Sequence, residues 1–370
     1  MKKYSIEEQS LAFDKVLVPD DCVKGVVQRD GKTYLQIKAP EAKEVAFVIK
    51  EVKTPCVKDE DGVWSVEYPM KDGFSYVQLL IDDTPVITPC LPISYGYSRP
   101  YNYVALETEE DFFEIRNVPH GSVRKEYFFS KVTDSWECCT IYTPYEYETE
   151  KDKVYPVLYL QHGQGENEVG WTASGKVHFI MDNLIAEKKA NPFIIVMSNG
   201  MVQTEVDGET VVDFQLFEKQ LLTDIIPFVE SKFRVGKTKD MRAMAGLSMG
   251  SMQTSVIGMK HPDLFCALGV FSGFVTDILQ GGVLDKINRG PSDNIHLKIL
   301  DDPENFAQQF KVFFRAIGEE DPFLPFFKKD DVLLEEKNIK HTRVIYCGSH
   351  EWNTWRRCIR DFAQMIFKED

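Results

Sequence analysis

Ser248 lies in the run Ala245-Gly246-Leu247-Ser248-Met249-Gly250, where Gly246, Ser248 and Gly250 form the pattern G-x-S-x-G. A serine so placed can act as a nucleophile at the apex of a sharp strand-to-helix turn. The flanking glycines are then a steric need, because a Cβ at either position would strike the neighbouring strand or helix. The bare pattern arises by chance in roughly a tenth of chains of this length, so its surroundings must carry the reading. A strand-like apolar run, Arg242 to Gly246, enters the turn, and Met249 to Lys260 leaves it at helical spacing without proline.

A serine hydroxyl is a weak nucleophile at neutral pH and needs a histidine to take its proton and a carboxylate to orient that histidine. Two later strand-like runs end in such groups: Val312 to Ile317 leads into Gly318-Glu319-Glu320-Asp321, and Arg343 to Cys347 into Gly348-Ser349-His350. We take His350 as the base. Asp321 is the chosen acid because Pro322 holds it extended, whereas Glu319 and Glu320 read as solvated charges. The order serine, acid, histidine is that of an α/β-hydrolase. His178, His261, His296 and His341 read as surface residues.

Acyl transfer also needs two N–H donors for the oxyanion of the tetrahedral intermediate. Met249, the residue after the nucleophile, should supply one. The other should come from the loop Gln161-His162-Gly163-Gln164-Gly165, at Gln164, since its glycine neighbours allow close approach. A phosphate cradle is disfavoured, as the loop lacks the G-K-[ST] ending. Trp171, Trp352 and Phe274 are the aromatics expected to border the cleft and touch substrate. Met201 to Phe214, acidic and without a period, should be a loop flanking the site and disfavouring anionic substrates.

These residues need a scaffold. From Val23 to Ile93 short strand candidates alternate with charged turns, which suggests a small antiparallel β-sandwich. The boundary falls near residue 110, giving domains 1–110 and 111–370. Beyond it apolar strands alternate with helical stretches such as Leu216 to Phe233 and Asp330 to Asn338, the grammar of a mostly parallel sheet covered on both faces. Sites in such sheets lie at the carboxyl ends of the strands.

Composition narrows the partners. Across 370 residues, 43 Lys and Arg face 58 Asp and Glu, a net charge of -15 that disfavours nucleic acid and anionic membrane surfaces. No uncharged run reaches the length of a membrane span, and no apolar core follows the first lysines, so a cytoplasmic protein is expected. The 8 cysteines include no C-x-x-C pair and read as reduced core residues. No metal or organic cofactor is expected. The expected partner is a small-molecule or oligosaccharide ester, and self-association stays open.

The passages V-P-H-G-S-V, Y-P-V-L-Y-L-Q-H-G-Q-G-E-N-E-V-G-W, A-G-L-S-M-G-S-M-Q-T, H-P-D-L-F and G-S-H-E-W-N-T-W-R-R resemble the esterase D-type carbohydrate esterases of carbohydrate esterase family 1. These include feruloyl and acetylxylan esterases, with enterochelin esterases as relatives. The resemblance runs from about Pro119 to the carboxyl terminus. It implies Ser248 as nucleophile, Asp321 as acid, His350 as base, and Gln164 and Met249 at the oxyanion positions. It also implies an α/β-hydrolase preceded by an immunoglobulin-like early-set sandwich similar to glycogen-binding modules. In that sandwich Trp64, Tyr95 and Tyr97 would be the stacking residues if it binds glycan, although a shielding role is preferred. Ser251 departs from the family pattern, which usually has glycine there, and so does Gln161, where an apolar residue is common.

The implied function is a serine carboxylesterase that releases hydroxycinnamate, above all ferulate, from plant-cell-wall carbohydrate through an acyl-enzyme. The alternatives are an acetylxylan esterase or a siderophore esterase. A carbohydrate-binding protein with a relict hydrolase domain would require a broken triad, and here all three members are present.

Overall fold

Five runs, Val157–Gln161, Ile194–Ser198, Arg242–Leu247, Ala267–Phe271 and Val312–Gly318, are apolar but for Gln161, Ser198, Arg242 and Arg315, do not alternate, and are buried at nearly every residue. A strand that hides both faces must lie inside a sheet covered on each side, which is the parallel arrangement. The computed structural model describes residues 23–70, 73–106, 108, 110–206, 208–213, 216–276 and 295–368. The chain divides into two compact units after Asp111.

The first unit is all β. Strands β1 (Val26–Arg29), β2 (Lys32–Lys38), β5 (Val57–Lys58) and β6 (Val63–Glu67) form one antiparallel sheet in the order β1-β2-β6-β5. The other is built on β3 (Val45–Ile49), β4 (Val52–Pro55), β7 (Gly73–Ile81), β9 (Ile93–Gly96) and β10 (Arg99–Leu106), in the order β4-β3-β7-β10-β9, with β8 (Thr84–Val86) paired to β7. Leu35, Trp64 and Val66 of the first sheet share a core with Phe47, Val77, Leu79 and Val104 of the second, so the unit is a sandwich. Trp64 is 8% exposed and donates its indole N–H to the Ala39 carbonyl at 2.8 Å, so it belongs to this core rather than to a stacking surface. The tyrosine-rich passage from Ser94 to Tyr103 lies in the β9–β10 hairpin, whose strands pair from Ile93–Asn102 to Gly96–Arg99.

The second unit carries an eight-stranded sheet in the order β11-β12-β14-β13-β17-β18-β19-β20. Its strands are β11 (Ser122–Ser130), β12 (Ser135–Thr143), β13 (Val157–Gln161), β14 (Ile194–Ser198), β17 (Arg242–Leu247), β18 (Ala267–Phe271), β19 (Val312–Gly318) and β20 (Thr342–Tyr346). From β14 through β20 the pairings are parallel; β11 and β12 join antiparallel at one edge. The chain thus has the α/β-hydrolase fold preceded by a small all-β sandwich. From β13 it steps outward to β14, then returns across β13 to β17, so the strand order reverses between β13 and β17, where Gln161 pairs with Gly246. Ligands in open α/β sheets bind at such reversals, beyond the carboxyl ends of the strands.

Met201 to Phe214, expected as a loop, contains a hairpin instead, β15 (Gln203–Val206) with β16 (Glu209–Val212). With only Val206, Val211 and Val212 among polar residues, neither strand carries the apolar alternation that would mark it in the sequence. Cys347 is exposed and Cys138 half-buried, whereas Cys56, Cys90, Cys139, Cys266 and Cys358 are buried free thiols. No helix among the described residues is long and apolar enough to cross a membrane.

Candidate active site

Where β17 ends, Ser248 takes φ 51° and ψ -116°, and the helix Met249–Lys260 begins at the next residue. Such a backbone conformation costs a residue with a side chain about 1–3 kcal/mol and persists only where its surroundings enforce it. Here the Ser248 N–H is held by the Phe271 carbonyl at 2.9 Å. A Cβ on Gly246 would lie 2.4 Å from the Gly250 carbonyl, and one on Gly250 would lie 2.7 Å from the His162 carbonyl oxygen. Strand and helix therefore approach too closely for any other residue at either glycine.

His350 reaches this serine from the turn after β20. Its Nε2 stands 3.0 Å from Ser248 Oγ and its Nδ1 stands 2.9 Å from Asp321 Oδ2. The Asp321 side chain is 0% exposed, and its second oxygen accepts the Phe323 N–H at 2.9 Å. With Nδ1 donating to a buried carboxylate, Nε2 is left to accept the serine proton. Of the three consecutive acids after β19, Asp321 is the one bonded to the ring, while Glu319 and Glu320 are exposed. The rings of Phe323 and Trp355 stand edge-on to the imidazole, each with centroids 5.1 Å away. Neither aromatic was singled out by its sequence position, although Phe323 follows Asp321 by two residues and Trp355 lies one turn beyond Trp352.

The loop after β13 is pinned at several points. His162 is buried, with Nδ1 2.7 Å from the Gly163 carbonyl and Nε2 accepting the Gly200 N–H at 2.9 Å. That pairing requires the neutral ring, and burial pushes its pKa below the ordinary value. The Gly163 N–H donates to Glu166 Oε2 at 3.3 Å and the Gly165 N–H to Met201 Sδ at 3.0 Å. Between them, the Gln164 N–H has no acceptor among the described residues, and neither has the N–H of Met249. Two uncommitted donors thus sit just beyond the carboxyl ends of adjacent strands β13 and β17, one in a loop and one at the start of a helix.

Trp171, Trp352 and Phe274 do not border a cleft. Trp171 is 0% exposed and its indole donates to the Gln161 carbonyl at 2.9 Å; Trp352 is 1% exposed and packs edge-on against it at 5.3 Å. The pair fills the space behind the loop after β13. Phe274 is 2% exposed, packed against Phe323 and Phe326. Large flat side chains near a site are as useful for packing its walls as for meeting substrate. His296 is likewise buried, facing the Val275 carbonyl at 3.2 Å.

Both departures from the family pattern point inward. Gln161 is buried and donates to Ser198 Oγ at 3.2 Å. Ser251 donates to the Ser248 carbonyl at 2.6 Å and faces Gly273.

Residues 138–364 match the family described as "Putative esterase". The chain belongs to this esterase family. It is 33% identical over 358 residues to an endo-1,4-beta-xylanase/feruloyl esterase of Xylanibacter ruminicola, an alignment that takes in 93% of this chain and 46% of that protein. The chain therefore spans about half the length of that relative. A ferulic acid esterase of known structure is 28% identical with a TM-score of 0.58, covering 67% of this chain and 98% of its own. The enterobactin esterase FES of Shigella flexneri shares the fold at 14% identity and a TM-score of 0.65, over 92% of this chain and 96% of its own.

Proposed function

We propose that this esterase-family chain is a serine carboxylesterase that cleaves hydroxycinnamoyl, chiefly feruloyl, esters of plant-cell-wall carbohydrate through an acyl-enzyme. The observation that carries the mechanism is the position of His350, within hydrogen-bond reach of Ser248 Oγ at 3.0 Å and of Asp321 at 2.9 Å. In this reading His350 Nε2 takes the Ser248 proton as Oγ attacks the ester carbonyl. The N–H groups of Gln164 and Met249 hold the oxyanion, and the collapsing intermediate expels the alcohol, which receives the proton from His350. Water then enters, gives a proton to His350 and attacks the acyl-enzyme; acid release returns Ser248 to its hydroxyl form.

The feruloyl preference rests on the similarity to a relative named for feruloyl esterase activity across 93% of this chain. The cytoplasmic location belongs to the same proposal, with imported oligosaccharide fragments as substrates; recovery of the protein from culture medium would contradict it. Hydrolysis of methyl ferulate and of an acetylated xylo-oligosaccharide, by wild type and Ser248→Ala, tests the assignment. Ferulate release that is lost in the variant supports it, and acetate release alone transfers the activity to deacetylation.

A further inference from the structure

Glu166 is a carboxylic acid that the proposed reaction does not use, yet it is 8% exposed and lies at the base of the loop after β13. Its Oε2 accepts the Gly163 N–H at 3.3 Å, and its carboxyl also takes a hydrogen bond from the Trp352 side chain. Trp352 opens the helix Trp352–Ala363, two residues beyond His350. One side chain thus joins the segment that offers the Gln164 N–H to the segment that offers the imidazole. A Cβ built on Gly163 would lie 3.4 Å from Ser248 Cβ and 3.7 Å from Glu166 Oε2, so a single backbone segment separates this carboxyl from the nucleophile.

Building on the esterase reading above, we propose that Glu166 is a positioning residue that braces the Gly163–Gly165 loop against the histidine-bearing turn. It does so as an uncharged acid at neutral pH. Burial pushes its pKa up to about 8, and the hydrogen bonds from Gly163 and Trp352 offset that only in part. The titratable groups on the elements around it are otherwise engaged. His162 is held as the neutral ring, Glu168 is paired with Lys125 at 2.9 Å, and His350 is committed to Ser248 and Asp321. Loss of the Glu166 proton would put a carboxylate beside the place where the oxyanion forms, and like charges in a dry site repel strongly.

The test is the pH dependence of kcat and KM for 4-nitrophenyl acetate, an activated ester chosen for its indifference to acyl preference, with wild type, Glu166→Gln, Glu166→Ala and Ser248→Ala. Glutamine keeps the acceptor oxygen and cannot ionise. Its kcat at pH 7 should stay within about threefold of wild type, whereas alanine, losing the brace, should lower kcat about 10- to 100-fold with KM little changed. Wild-type kcat should decline above about pH 8, and the glutamine variant should lack that decline. An alanine variant with wild-type kcat, or matching alkaline limbs in wild type and glutamine variant, overturns the brace and leaves the nucleophile reading intact. Turnover surviving in Ser248→Ala overturns the nucleophile reading and the brace with it.

Discussion

Ser251 and Gly273 are fitted to each other: a Cβ on Gly273 would stand 1.7 Å from Ser251 Oγ. The hydroxyl fills the space that a side chain at 273 would need, and its 2.6 Å bond to the Ser248 carbonyl fixes the first turn after Ser248. Gly273→Ala should therefore destabilise the protein by about 1–3 kcal/mol, as overpacking does, and lower kcat by displacing Ser248. Ser251→Gly in the same chain should restore much of both. A thermal melt and an esterase assay on the two single variants and the double variant check the coupling; strictly additive effects would contradict it.

Asp321 is bonded through both oxygens, one to the His350 ring and one to the Phe323 N–H. Asp321→Asn should keep the fold but favour the wrong imidazole tautomer, lowering kcat by about 10,000-fold. Combining it with Ser248→Ala should cost little beyond Ser248→Ala alone, because triad members act as a unit. Initial rates across the three variants measure this.

Glu166 also predicts how stability depends on pH. Its folded pKa is raised to about 8, against roughly 4.3 for an unperturbed glutamate. Between those values the folded protein holds a proton that the unfolded chain has lost, so this group's contribution to stability falls as pH rises. The melting temperature of Glu166→Gln minus that of wild type should therefore grow from about pH 5 to about pH 8 and then level off. A constant difference across that range would contradict an acid titrating from 4.3 to 8.

Trp171, wholly buried and bonded to the Gln161 carbonyl at 2.9 Å, should act through packing. Trp171→Ala should cost about 3–5 kcal/mol of stability. KM values for a feruloyl and an acetyl ester should then change by the same factor, since no acyl-specific contact is lost. A selective rise in the feruloyl KM would restore a substrate-facing role.

The elements that position the site were legible where chemistry imposes a local rule. Gly246 and Gly250 must be glycine because two backbones cross there, and the strand ends at Gly318 and Gly348 announced the segments carrying Asp321 and His350. The surroundings of those residues were not legible. Whether Trp171 or Trp352 meets solvent or packs inward depends on tertiary packing, and Glu166 looks like any polar loop residue until the helix beginning at Trp352 closes over it. Strands β11 and β12 were missed for a related reason: β11 alternates exposed and half-buried residues at a sheet edge and lacks the continuous apolar run of its parallel neighbours.

The central claim is that Ser248 carries the acyl group during turnover. Rapid quenching of wild-type protein with a feruloyl ester in acid, followed by peptide mass spectrometry, should find one feruloyl group on the peptide that contains Ser248 and none in Ser248→Ala. Turnover without that adduct under conditions where deacylation limits the rate, or an adduct that persists in Ser248→Ala, would contradict it.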